Sequence, residues 1–126
     1  MNDSEYRAFC LELAASFAAR LSQEAEKTSP EDPLRSLASG FEALARGEAL
    51  YEEGPALVNT LFTHAPEFAP LFPRDLLWFI GGDCLHFMPD EELAKYQQLE
   101  DMRIAAQDED TPFDYRAERA KLLNLQ

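Results

Sequence analysis

Leu76-Leu77-Trp78-Phe79-Ile80-Gly81-Gly82-Asp83-Cys84-Leu85-His86-Phe87-Met88 is apolar almost all round, yet it carries a glycine pair and three chemically capable residue types. Elsewhere the chain reads as polar, amphipathic helices. A helix without a polar face is normally the buried centre of a bundle, and a polar group placed there must be paired. The segment therefore predicts a central apolar helix over residues 74–88, opened by Phe72-Pro73-Arg74-Asp75.

Prolines mark the other boundaries, because proline is tolerated in the first helical turn, where its missing N–H would have no partner. Ser29-Pro30 and Asp32-Pro33 are alternative starts for one helix, and Thr111-Pro112 with Asp114 marks another. Met88-Pro89-Asp90-Glu91-Glu92 opens a further helix, with acids suited to the positive end of its dipole. Pro55, Pro66 and Pro70 bracket or break the segment from Leu57 to His64.

Periodicity supplies the helices between these marks. Tyr6, Cys10, Leu13, Phe17 and Leu21 draw one stripe, and Leu34, Leu37, Phe41 and Leu44 a second that ends near Arg46-Gly47. Leu57, Val58, Leu61 and Phe62 define a third helix, Leu93, Tyr96, Leu99 and Met102 a fifth. Phe113, Ala117, Ala120 and Leu123 or Asn124 place the last. No stretch alternates with a strand's period of two. The expectation is all-α: a single helical domain, 1–126, a bundle of about six helices around the central one.

Composition excludes several functions. Among 126 residues, 24 acidic side chains face 11 basic ones, a formal net charge of −13. Nucleic acid and anionic membranes both attract basic patches, so neither is an expected partner. No apolar run reaches the roughly 18 residues of a membrane span. The N-terminus lacks the basic and apolar regions of a signal peptide. Cys10 and Cys84 lie far apart without CxxC spacing, as expected of free, buried thiols in a reducing cytoplasm.

Within the central helix, about 100° of rotation per residue sets Asp83 with Phe79 and His86 on one side of Leu76. Trp78, Gly81, Gly82 and Leu85 share the opposite face. The glycine pair is read as a close-packing point or a kink rather than a ligand cradle, since no GxxxxGK[ST] or strand-linked GxGxxG surrounds it. Asp83 and His86, three residues apart, are the candidate catalytic pair, and their bland reading is a buried hydrogen bond that sets helix register. Cys84 falls about 160° from His86, so a Cys-His dyad would require a broken helix. A metal site would draw on His64, Asp83, His86 and Glu91, but no Glu-x-x-His pair occurs. No cofactor is implied.

The other feature is an acidic run. Between Pro89 and Asp110, eight acids (Asp90, Glu91, Glu92, Glu100, Asp101, Asp108, Glu109 and Asp110) face only Lys95 and Arg103, a net of −6. It reads as a solvated helix face with an acidic loop, or as a docking surface for a basic protein. The C-terminal helix, with Arg116, Arg119 and Lys121, could fold against it and offset part of that charge.

The string Pro73-Arg74-Asp75-Leu76-Leu77-Trp78-Phe79-Ile80-Gly81-Gly82-Asp83-Cys84-Leu85-His86-Phe87-Met88-Pro89-Asp90-Glu91-Glu92-Leu93 resembles a family of small uncharacterised proteins of Pseudomonas and related proteobacteria. The resemblance implies a bacterial cytoplasmic protein and brings no site residues with it. Three functional expectations stand. The first is a small acidic cytoplasmic interaction or regulatory module, with a homodimer as one form it can take. The second is an enzyme or metal-binding protein centred on Asp83 and His86. The third is an immunity- or antitoxin-like binder of a basic partner.

Overall fold

The computed structural model describes residues 1–124. It is all-α: six α-helices and two 3₁₀ helices, with no strand among the described residues. The chain forms two compact units, Phe9–Leu85 and Met1–Ala8 with the residues from His86 onward. Helix α1 (Asp3–Ala25) contributes residues to both.

In the unit Phe9–Leu85, α1 buries Cys10, Ala14, Phe17, Ala18, Leu21 and Ala25. Leu13, expected in that stripe, is only half-buried, and Ala14 takes the inward place. Helix α2 (Pro33–Ala45) uses the second of the two proline starts. Asp32 Oδ1 accepts from the Leu34 N–H at 2.8 Å, and Pro33 fills the first helical position. The helix stops in a Schellman motif: Gly47 N–H donates to Leu44 O and Glu48 N–H to Ala43 O. Gly47 has φ +83°, which suits a residue without a Cβ.

Helix α3 (Leu50–His64) begins earlier than the periodicity suggests and carries Pro55 in its second turn. Proline cannot donate to the Tyr51 carbonyl, so one i→i−4 bond is missing from the start of the helix, which continues through it. Ala65-Pro66 then ends the helix, as expected, and a 3₁₀ helix follows over Pro66–Leu71. Glycines let the helices approach: a Cβ on Gly40 would lie 2.6 Å from Leu57 Cδ2, and one on Gly54 3.2 Å from Ile80 Cβ. The core centres on Phe72, whose ring meets Phe17 at 5.0 Å, Phe62 at 5.7 Å and Phe41 at 5.8 Å between centroids.

The expected helix over 74–88 is not continuous. Helix α4 covers only Arg74–Ile80, and a 3₁₀ helix runs over Gly82–Phe87. Gly82 takes φ +50°, a left-handed conformation that α-helical winding cannot contain. A Cβ there would stand 3.1 Å from Pro55 Cγ on α3. The glycine pair is thus both a kink and a close-packing point.

In the other unit, α1 starts with a reciprocal cap: Glu5 N–H donates to Asn2 Oδ1 at 2.9 Å, and Asn2 N–H to Glu5 Oε1 at 3.1 Å. Helix α5 (Asp90–Asp108) packs against α6 (Tyr115–Leu122). Asp114 caps α6 through the Ala117 N–H at 3.1 Å. Helix α5 buries Tyr96, Leu99, Arg103 and Ala106, while Leu93 and Met102 of the expected stripe stay half-buried.

Candidate functional site

Breaking the helix at Gly81 resets every face beyond it. Asp83 and His86, expected among apolar neighbours or sealed as a pair, are both exposed. Three residues per turn in the 3₁₀ segment carry Cys84 inward and leave Asp83 and His86 outward, with Leu85 half-buried. The buried acid of this segment is Asp75, 2 % exposed in the first turn of α4. It stands where backbone N–H groups have no intrahelical acceptor, a place suited to a carboxylate. Its place two residues after Pro73, in the first turn of the helix that the proline opens, was the only signal in the sequence.

Cys84 is buried, and its Sγ donates to the Pro55 carbonyl at 3.1 Å. Burial, aided by the adjacent Asp83 carboxylate, pushes its thiol above the ordinary value. Such a thiol is a poor nucleophile at neutral pH. Folding favours its protonated form, so this stabilisation is full below the ordinary thiol range and fades as pH rises through the raised value. In a Cys10→Ser variant at pH 8, Ellman's reagent should label Cys84 at least about tenfold more slowly in the folded chain than in urea. Equal rates would contradict a sealed thiol.

The four metal candidates do not assemble. Among the described residues, no three His, Cys, Asp or Glu side chains gather closely enough to hold an ion. Glu91 pairs instead with Lys95 at 3.4 Å, and the His86 ring lies 4.1 Å from that of Phe87. His64, at the end of α3, lines a cleft of about 350 Å³ with Thr28, Asp32, Leu34, Leu37, Ala65 and Glu67.

The acidic run also divides on folding. Asp90, Glu91, Asp101, Asp108, Glu109 and Asp110 are exposed, with Glu92 and Glu100 half-buried. Arg103, counted among its cations, turns inward at 4 % exposure. Its Nη1 donates to Asp3 Oδ1 at 2.8 Å, and its guanidinium lies 4.6 Å from the centroid of the Tyr6 ring. Gln107 brackets the same Asp3, accepting its N–H at 2.7 Å and donating to Oδ2 at 3.3 Å. These bonds with Arg103 first, then Gln107, hold the Asp3 carboxyl below its ordinary value.

The sequence reading missed this burial because Arg103 sits among acids. The available signal was its spacing: positions 96, 99, 103 and 106 fall on one helical face. The outward face of α5 carries a different residue, Ile104, which is 40 % exposed. Glu100, Asp101 and Asp108 lie four before, three before and four after it, so carboxylates flank an apolar side chain.

These features define an all-α protein with a carboxylate-rich helical face; among the described residues no helix is long and apolar enough to cross a membrane. Residues 3–126 match the PA2817-like family, and the chain belongs to that family. No curated protein and no solved structure was found to match it.

Proposed function

We propose that the protein is an interaction module of the bacterial cytoplasm that binds a basic protein through the outer face of α5. The observation that carries this reading is Ile104, exposed and flanked by Glu100, Asp101 and Asp108. An apolar centre with a charged rim is the arrangement found in non-obligate interfaces, and the rim charges speed encounter with a partner of opposite sign. With Arg103 turned inward against Asp3, the six exposed acids of the run and the half-buried Glu92 and Glu100 face Lys95 alone. Packing of α6, with Arg116, Arg119 and Lys121, offsets part of this field from one side of α5.

Affinity purification of the full chain tests the reading. A stoichiometric Lys- and Arg-rich partner should be recovered at about 0.1 M salt and lost toward about 1 M, where the Debye length falls to about 3 Å. Ile104→Ser and the pair Asp101→Asn/Asp108→Asn should each lose that partner while keeping a native circular dichroism spectrum. Recovery of the free protein alone at every salt concentration, or capture unaffected by these variants, would overturn it.

A further inference from the structure

The cleft beside His64 has a different character from the α5 face, and nothing about it depends on that surface. Its floor is apolar: Leu34, Leu37 and Ala65 are all buried. Its rim carries the half-buried Asp32, the exposed Glu67 and the exposed His64. At about 350 Å³ it falls at the lower end of the about 300–1,000 Å³ typical of small-ligand sites.

The walls are held before any ligand arrives. Arg35 donates from Nη2 to the Thr28 carbonyl at 2.9 Å and from Nε to the Ser29 carbonyl at 3.0 Å, which pins the turn leading into α2. Those bonds also engage the nearby guanidinium with backbone. Thr28 Oγ1 donates to Ala25 O at 2.6 Å. Asp32 spends Oδ1 on the α2 cap and leaves Oδ2 for another donor. Pro33 and Pro66 stiffen the two segments that carry the rim.

We propose that this cleft binds a short alkylammonium ion. The N–H donors of an ammonium group have the Asp32 and Glu67 carboxylates as acceptors on this rim. The alkyl chain lies over Leu34, Leu37 and Ala65. An anion would meet two carboxylates there, and a neutral alcohol would leave their charge unanswered.

Titration of the ¹⁵N-labelled full chain with n-butylammonium at pH 8 and constant ionic strength reads this directly. Saturable amide shifts confined to Thr28, Leu34, Ala65, Glu67 and their neighbours are expected, with n-butanol giving none. Asp32→Asn retains an oxygen for the helix cap. Combined with Glu67→Gln, it should weaken binding about fivefold to tenfold, as expected for two solvent-accessible ion pairs. Glu67→Arg, on an exposed position, should weaken it further without touching the cap. Nα-acetyl-lysine methylamide separates the two sources of such a group: tighter binding than n-butylammonium identifies a partner's lysine, weaker binding a free amine. Shifts that do not saturate with either amine, that n-butanol reproduces, or that survive both variants would overturn the proposal.

Discussion

Phe72→Ala is expected to lower the unfolding free energy by about 4 kcal/mol, the largest effect of any single truncation considered. Phe72 is 2 % exposed, and its ring touches aromatic rings from three helices: Phe17 of α1, Phe41 of α2 and Phe62 of α3. Truncation removes the transfer free energy of the ring and leaves a cavity among three stiff neighbours that collapse poorly. It also removes edge-to-face pairs worth about 0.5–1.5 kcal/mol each beyond buried area. Phe72→Leu should recover more than half of the loss, because it fills most of the volume. Phe79, half-exposed and paired edge-on with the exposed Tyr51 at 5.9 Å, serves as the control. Its truncation should cost about 1 kcal/mol. Urea unfolding of the three variants checks the order. A loss below about 2 kcal/mol at Phe72 would mean that the cluster does not organise its unit.

Gly81→Ala should destabilise by about 2 kcal/mol or more, against the ordinary trend in which alanine improves a helix by about 1 kcal/mol over glycine. Gly81 has φ −63°, so its backbone would accept any residue. The obstacle is space. A Cβ there would clash with the Leu77 carbonyl oxygen, which already accepts the Gly81 N–H at 2.8 Å, and would lie 3.2 Å from both Leu77 Cδ1 and Leu85 Cδ2. Backbone cannot yield to that contact as a flexible side-chain tip can. Gly82→Ala fails for the other reason, since its φ of +50° costs a side-chain-bearing residue about 1–2 kcal/mol. Gly82→Asn should be milder than Gly82→Ala, because asparagine tolerates the left-handed region. Thermal unfolding of these variants separates the causes. A stabilised Gly81→Ala protein would show that the break after Ile80 is a continuous helix in solution.

The two glycines also show where sequence reasoning reached its limit. Rotation at 100° per residue is valid only while the helix continues, and it stops at Ile80. Beyond that point the faces of Asp83 and His86 are displaced outward, whereas Cys84 stays buried. Pro55 misleads in the opposite direction, because a proline near a helix start removes one backbone bond without ending the helix. The Asn2–Glu5 capping box is a local signal, legible in its spacing of three residues. The burial of Arg103 was hidden by its acidic neighbours, although its spacing from Tyr96 and Leu99 is helical. Of the cleft, His64 was singled out as a possible ligand; its companions Asp32 and Glu67 come from separate segments that no local pattern links.

Local rules therefore determined the all-α class, the six α-helices, the Asp32 and Asp114 caps and the stops at His64 and Arg46. Each depends on dihedral preference, missing donors or period 3.6, and all of these act within a few residues. Tertiary structure decided which polar groups are inside: Asp75 and Arg103 rather than Asp83 and His86. Burial is set by the segments that pack against a residue, and those segments, such as Asp3 and Tyr6 about one hundred positions from Arg103, are beyond the reach of any local period.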